Sequence, residues 1–314
     1  MLRYPFELEP IPDDEDFEAH VGGTRMTLCI AAGCIEKKKS RIVTCIDWKA
    51  TTALGSTQTF DKFQRLNKGW IALMAGKASR SKELTSAISK VLSSQEITAS
   101  NLRDLVTIGA ATHGRNLKEE YCLMKLGMNY DKFLEWTKDN QTLAEPYMDQ
   151  IASLKLGASV LVAGFVKDDD GDDVPAICKV SQQSGEITIE NHFGAIGEGA
   201  SIAVPPLYRR EYDWEETQLS KAIYYLYEAK TLAEILDSVG PATSIDVLYP
   251  DGELKSLTNT GYKYYDELLK QFGPKPKVTG VEWKDDYLGE FEDKPTIKQP
   301  TPQPSSSQKS ERVQ

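Results

Sequence analysis

Six residues in the first quarter of the chain carry groups that together suit the cleavage of an amide bond. They are Thr27, Asp47, Lys49, Thr51, Lys62 and Gly76. A threonine hydroxyl is a weak nucleophile at neutral pH, but a free α-amine on the same residue can act as its base, because that amine titrates at roughly 7.7–8.0. A neighbouring lysine lowers the pKa of the hydroxyl, an aspartate keeps the lysine charged and in place, and a glycine N–H stabilises an oxyanion. The set suits a hydrolase whose nucleophile is an N-terminal threonine, while Asp and Lys are also common at strand ends without any catalytic role.

The predicted strands place these residues at their ends. Thr27 begins the apolar run TLCIAAGC, Asp47 ends RIVTCID, Lys62 precedes the next strand pair, and Gly76 ends GWIALMAG. Short runs rich in β-branched residues are typical of strands, and the Lys-rich segment between the first two predicts a hairpin turn. If these strands are neighbours in one sheet, their ends converge and the reactive groups meet.

The rest of the chain alternates between helical and strand patterns. We expect a helix over 79–92, a second helix over 98–117 with Ser100 as its N-cap, helical or irregular structure over 118–155, a hairpin over 158–181, a further strand and a Gly-rich turn, a helix or helix pair over 215–236, and a closing hairpin over 243–257 with an Asp-Gly turn. This order predicts an α+β fold, a four-layer sandwich of two antiparallel sheets with helices outside.

Three regions differ in composition. Residues 1–25 are acidic and lack periodicity, so we expect a flexible leader or a pro-segment. Residues 26–273 carry the apolar periodicity of a folded domain. Residues 274–314 are rich in Pro and Ser, and we expect a disordered tail.

Composition argues against several classes of protein. The net charge is −10, and no element concentrates Lys and Arg, which argues against nucleic-acid binding. No apolar run reaches the roughly 18 residues of a membrane span, and the acidic start lacks the apolar core of a secretory signal. The cysteines Cys29, Cys34 and Cys45 lie in strand-like runs without a CxxC pair, so we expect buried thiols and a reducing cytoplasm.

No cofactor and no metal site is predicted. The acidic loop Asp168–Asp173 does not fit an EF-hand, because placing Gly171 at the sixth position puts Val166, which cannot ligate, at the first. The Gly194–Gly199 segment lacks the Gly-Lys-Ser/Thr ending of a phosphate loop. The three histidines are scattered along the chain, so neither a Ser-His-Asp triad nor a metal set follows from them.

The run TLCIAAGC…RIVTCIDWKATT…FDKFQRLNKGWIALMAG resembles the opening of proteasome β-type subunits and of the bacterial protease HslV. Asp47 to Thr51 matches the family's Asp-x-Arg/Lys-Ala-Thr, Lys62 its following lysine phrase, and Gly76 its small-Gly strand end. The resemblance extends to about residue 255. It is greater still to a group of uncharacterised bacterial proteasome-like proteins that begin Met-Thr-hydrophobic-Cys-Ile-Ala and carry an extra helical stretch like LKEEYCLMKLGMNYDKFLEW. It implies the Ntn-hydrolase αββα sandwich, with Thr27, Asp47, Lys62 and Gly76 as the catalytic residues.

Two departures from the family pattern favour a different function. Active subunits carry a Ser between the two glycines of Gly-x-Gly, where this chain has Glu198. They also carry an Asp followed shortly by Ser-Gly-Gly, where this chain has Asp237 and Ser238 without the glycine pair. The alternative is therefore a non-catalytic assembly subunit with an unprocessed N-terminus.

Two threonines compete for the role of nucleophile. Autocleaving family members cut a Gly-Thr bond, which favours Thr24 after Gly23, whereas the strand register favours Thr27. If translation starts at Met26, removal of that methionine exposes Thr27 without autocleavage; if the leader stays attached, Thr27 has no free amine. The family likeness also implies self-association into rings and a peptide or protein substrate. An ATPase or regulator is left open, and neither nucleic acid nor membrane is expected as a partner.

Overall fold

The computed structural model describes residues 25–26, 28–52, 55–57, 62–183, 185–273, 281, 283 and 286–291. Within them it has fourteen strands and seven helices. The strands are β1 (Arg25–Met26), β2 (Cys29–Glu36), β3 (Lys39–Asp47), β4 (Ala50–Thr52), β5 (Gly55–Thr57), β6 (Phe63–Asn67), β7 (Trp70–Gly76), β8 (Ala158–Lys167), β9 (Asp173–Val180), β10 (Ile187–Glu190), β11 (Phe193–Ile196), β12 (Thr243–Leu248), β13 (Leu254–Leu257) and β14 (Leu288–Glu290). The helices are α1 (Ala78–Leu92), α2 (Leu102–Leu126), α3 (Tyr130–Asp139), α4 (Gln141–Ser153), α5 (Ala200–Arg209), α6 (Leu219–Ala233) and α7 (Asn259–Phe272).

Two antiparallel sheets form the centre of the domain. Sheet I has the strand order β11-β2-β3-β12-β13-β14, and sheet II has the order β10-β9-β8-β7-β6. A small third sheet, β1-β4-β5, is also antiparallel. The predicted α+β class and the two antiparallel sheets are confirmed.

Side-chain alternation along β2 separates two cores. Cys29 and Ala31 belong to the core shared with sheet II and helices α1 and α2, whereas Ile30, Ala32 and Cys34 belong to the core shared with α5, α6 and α7. Because successive side chains of a strand point to opposite faces, sheet I has sheet II on one face and helices on the other. This packing is compatible with the predicted four-layer sandwich.

The predicted Lys-rich turn joins β2 to β3. Lys37 and Lys38 have left-handed φ values of 50° and 67°, and Glu36 pairs with Lys39. Positive φ at both central positions matches the turn to the twist of the strands, which outweighs a cost of roughly 1–2 kcal/mol for each lysine. The turn sets a register in which Cys29 pairs with Ile46, so that the two ends of the hairpin lie side by side.

The region 118–155 is mostly helical. The end of α2 packs with α3 and α4 around a small core of Cys122, Phe133 and Ile151. Two sequence predictions nearby were inaccurate, because α2 continues to Leu126 and its N-cap is Asn101.

The predicted cap, Ser100, is engaged elsewhere. Its hydroxyl lies 3.0 Å from the hydroxyl of Thr98, while the Asn101 side chain accepts a hydrogen bond from the Thr98 N–H at 2.8 Å. The side chains of Ser100 and Asn101 therefore form hydrogen bonds within the turn before α2 and do not cap the helix.

Several elements were not predicted, among them α7, β14 and the small sheet β1-β4-β5. Helix α7 closes the domain, and β14 pairs with β13 at the edge of sheet I. Residues 286–291, which include β14, lie within the segment 274–314 that was expected to be a disordered tail. The leader lies outside the described residues except for Arg25, and the division into three regions stays a prediction.

Candidate active site

Asp47 ends β3 with a completely buried side chain. Its Oδ1 accepts hydrogen bonds from the backbone N–H groups of Lys49 at 2.8 Å and Gly240 at 3.0 Å. Its Oδ2 lies 3.2 Å from the Lys62 ammonium. The carboxylate therefore presents one oxygen to the backbone and the other to a lysine.

Lys62 is also completely buried, just before β6. Its carbonyl accepts a hydrogen bond from the Met74 N–H at 2.9 Å, which ties it to β7. Burial lowers the pKa of the Lys62 ammonium, while the charge of Asp47 and the nearby Cys29 partly oppose that shift. A buried lysine with a depressed pKa is a common feature of catalytic sites, and it also occurs in structural ion pairs.

Cys29 adjoins this pair, which the sequence did not indicate. Its Sγ lies 3.4 Å from the Met74 carbonyl oxygen, and burial raises the pKa of its thiol to about 12. A thiol with such a pKa stays protonated at neutral pH and is a poor nucleophile. All five cysteines are buried free thiols, as predicted for Cys29, Cys34 and Cys45.

Gly76 ends β7 at a position that only glycine suits. Its φ is +116°, and an added Cβ would lie 2.7 Å from the carbonyl oxygen of Gly157. Gly76 pairs with Ala158 of β8. The glycine thus ends the same strand whose Met74 contacts both Lys62 and Cys29.

Thr24 and Thr27, the two candidate nucleophiles, lie outside the described residues, and so does the side chain of Thr51. The chain on either side of Thr27 is described. Leu28 accepts a hydrogen bond from the Asp47 N–H at 3.0 Å, and Met26 of β1 pairs with Ala50 of β4. The structure therefore brings Asp47 and Lys62 together and places the residue after Thr27 against Asp47.

A loop from a distant part of the chain completes the surroundings. Lys49 donates a hydrogen bond from its ammonium to the Asp237 carbonyl, and Gly240 donates to Asp47. Gly199 lies between this loop and the start of β2, because an added Cβ would lie 2.8 Å from Val239 and 3.1 Å from Leu28. The sequence indicated Asp237 only as part of an incomplete motif, and nothing in it indicated that Gly240 of the same loop contacts Asp47.

The two segments considered for ligand binding have other structures. The acidic loop is a hairpin tip between β8 and β9, where Asp168 Oδ1 accepts hydrogen bonds from the N–H groups of Asp170 and Asp172. The Gly-rich segment is the end of β11 and a turn into α5 that leaves Glu198 exposed.

The described part of the chain offers neither a metal site nor a membrane span. No group of three or more His, Cys, Asp or Glu side chains there is placed to hold a metal ion. None of the helices there has the length and apolar character needed to cross a membrane.

Comparison with known proteins adds no relative. No model of a protein family matches the chain, and a search of curated proteins finds no significant match. The function of the site has to be inferred from its chemistry.

Proposed function

We propose that the protein is a proteasome-like Ntn hydrolase that cleaves peptide bonds with Thr27 as its nucleophile. The observation that carries the proposal is the buried Asp47–Lys62 pair, with Asp47 hydrogen-bonded to the backbone of Leu28. Leu28 is the residue that follows Thr27 in the sequence. The layered packing of two antiparallel sheets also suits this class of enzyme.

In the proposed reaction, the Thr27 hydroxyl oxygen attacks the substrate carbonyl carbon, and its proton passes to the free Thr27 α-amine. The tetrahedral intermediate collapses to an ester as the peptide C–N bond breaks, and the leaving amine takes the proton. Water then hydrolyses the ester and regenerates the hydroxyl. The N–H of Gly76 is assigned to the oxyanion.

Lys62 and Asp47 are assigned to control the hydroxyl. A positive charge beside the hydroxyl favours the oxyanion that forms during attack. Because Asp47 opposes the effect of burial, it helps to keep Lys62 charged in a place where water cannot. The pair therefore supplies a fixed charge without a metal ion.

The test starts with the intact mass and the N-terminal sequence of the protein from its native host. A chain that begins at Thr27 supports the proposal; one that begins at Thr24 transfers the nucleophile to Thr24. If the chain begins at Thr27, Thr27→Ala should abolish peptide hydrolysis with the fold intact, whereas Thr24→Ala, the matched control, should not. Unchanged activity of Thr27→Ala would end the proposal.

The second candidate function is a non-catalytic assembly subunit. The observation that favours it is the pairing of Arg25 and Met26 with β4, which gives the two residues before Thr27 a place in the fold. A mature chain that keeps these residues has no free α-amine at Thr27. Glu198 and the missing Ser-Gly-Gly favour it too. A native chain that begins at Met1 supports this candidate.

Ring assembly and a cytoplasmic location belong to both candidates by family likeness. Buried free thiols suit a reducing compartment. Analytical ultracentrifugation that finds only monomers would count against ring assembly.

A further inference from the structure

We propose that the loop Asp237–Gly240 is the positioning element of the site and that Gly240 is its key residue, because it holds Asp47 in the orientation that serves Lys62. This inference rests on the proposed function. It assigns no contact with substrate to Gly240, which would act through Asp47.

The first argument is the division of the carboxylate. Oδ1 accepts two backbone N–H groups, those of Lys49 and Gly240, and Oδ2 faces Lys62. The Lys49 N–H is only two residues away and cannot by itself define the rotation of the carboxylate about its last torsion, which is broad. The second N–H comes from a separate part of the chain and restricts that rotation.

The second argument is the lack of space for a side chain at Gly240. A Cβ on Gly240 would lie 2.6 Å from the Cβ of Lys49 and 3.1 Å from Asp47 Oδ1. Gly240 does not have a left-handed φ, so the glycine is required by this close approach and not by its backbone conformation. A larger residue would push the loop away from Asp47.

The third argument is that the loop is anchored at both ends. On one side, Lys49 donates to the Asp237 carbonyl. On the other side, the Trp48 N–H donates to the Ala242 carbonyl at 3.1 Å, and Thr243 of β12 pairs with Asp47. A donor held in this way is already in place before reaction and needs no reorganisation.

The experiment uses the full chain and two glycine substitutions. Gly240→Ala should displace Asp47 from Lys62. Gly69→Ala is the matched control, because an added Cβ there meets nothing within 4 Å. The readout is the pKa of Lys62, measured by NMR on protein with isotope-labelled lysine and assigned with Lys62→Met.

Among the described residues, the charged and titratable groups that shift the pKa of Lys62 include Asp47, Cys29 and Lys230. Asp47 and Cys29 raise its pKa, and Lys230 lowers it. Moving Asp47 away should therefore lower the pKa of Lys62 by about one pH unit or more in Gly240→Ala. Gly69→Ala should leave it unchanged. A folded Gly240→Ala protein with an unchanged Lys62 pKa would overturn the inference.

If Gly240→Ala does not fold, the Lys62 pKa is measured in Lys49→Met as a second test of the loop's positioning role. It removes the ammonium contact with Asp237 without adding bulk. Loss of the Lys49 charge alone would raise the pKa of Lys62 or leave it unchanged, whereas loss of the positioning of Asp47 would lower it. A fall supports the inference, and a rise or no change overturns it.

Peptide hydrolysis by the chain with an exposed Thr27 is measured separately. Absence of hydrolysis contradicts the proposed function, while the Lys62 titration still tests the positioning of Asp47. Where hydrolysis is found, Gly240→Ala should lower kcat, leave KM nearly unchanged and shift the pH profile in the same direction as the Lys62 pKa.

Discussion

The Asp47–Lys62 pair and the Arg210–Glu228 pair are both almost completely buried, yet they are built differently. Arg210 donates from two guanidinium nitrogens to the two carboxylate oxygens of Glu228, with distances of 2.8 and 2.7 Å. Its guanidinium carbon also lies 4.4 Å from the ring centre of Tyr225. Lys62 instead faces one oxygen of Asp47 at 3.2 Å, and the other oxygen is given to the backbone.

The difference separates a structural ion pair from one suited to chemistry. A guanidinium stays protonated in proteins and forms bidentate, stacked contacts, so Arg210 is suited to joining α6 to the segment after α5. An ammonium is a compact charge whose pKa shifts readily on burial, as that of Lys62 does. A buried charge pair is therefore weak evidence for function until the type of cation is considered.

The largest expected effect is on catalysis. In the chain with an exposed Thr27, Lys62→Met should lower kcat/KM for peptide hydrolysis by about 10²- to 10⁴-fold, the range that one group controlling a proton supplies. Glu228→Gln changes the other pair and should leave the activity of the folded protein unchanged. Peptidase assays on both variants, with folding checked by circular dichroism, make the comparison. Equal losses would mean that neither pair is specific to the chemistry.

The next effect is on stability. Arg210→Met leaves Glu228 buried without its partner and should lower the free energy of unfolding by about 3–5 kcal/mol. The double variant Arg210→Met/Glu228→Leu removes both charges and should recover most of that loss. Urea denaturation measures both values. If the double variant is as unstable as the single one, packing and not charge accounts for the loss.

The two pairs should also give stability opposite dependences on pH. Burial raises the pKa of Glu228 above 4.5, so the folded state binds more protons there and its stability falls as pH rises from 4.5 through the folded pKa. Burial lowers the pKa of Lys62 below 10.5, so the folded state binds fewer protons and stability falls as pH drops from 10.5 through the folded pKa. Each slope is at most about 1.4 kcal/mol per pH unit.

Denaturation curves over a pH series test these signs by difference. Subtracting Glu228→Gln from the unmodified protein isolates the acidic limb, and subtracting Lys62→Met isolates the alkaline limb. A Lys62 difference with the sign of the Glu228 one would contradict the assignment of the two pKa shifts.

The fold was predictable where the signal was local. Runs rich in β-branched residues predicted the two long hairpins, β2–β3 and β8–β9, because the strand and turn residues of a hairpin are adjacent in the sequence. β14 has three residues and exists through its pairing with β13, so no local pattern indicates it. Helix α7 has an N-cap residue that is typical in sequence, Thr258, whose side chain accepts a hydrogen bond from the Gly261 N–H. Gly261 lies in the first turn of the helix and weakens the helical pattern, because glycine has a low helix propensity.

The Asp47–Lys62 pair of the candidate site was predictable from the sequence, but the loop with Gly240 that supports Asp47 was not. Asp47 and Lys62 are each next to strands that the sequence outlined, and they do meet. Gly240 lies 193 residues beyond Asp47, and its role depends on how β12 pairs with β3. A glycine needed for close approach looks in the sequence like any loop glycine, so only the tertiary contact identifies it.

The smallest expected effect concerns what surrounds Arg210. The ring of Tyr225 is attracted to the guanidinium by about 0.5–2 kcal/mol, the range for partly desolvated cation–π contacts. Tyr225→Leu should therefore lower the free energy of unfolding more than Tyr225→Phe, which keeps the ring. A double-mutant cycle of Tyr225→Leu with Arg210→Met measures the coupling by urea denaturation. Coupling near zero would mean that the stacked Tyr225 ring contributes no measurable energy to holding Arg210. The two pairs would still differ in the cation, in the number of carboxylate oxygens that it contacts, and in the backbone donors to Asp47.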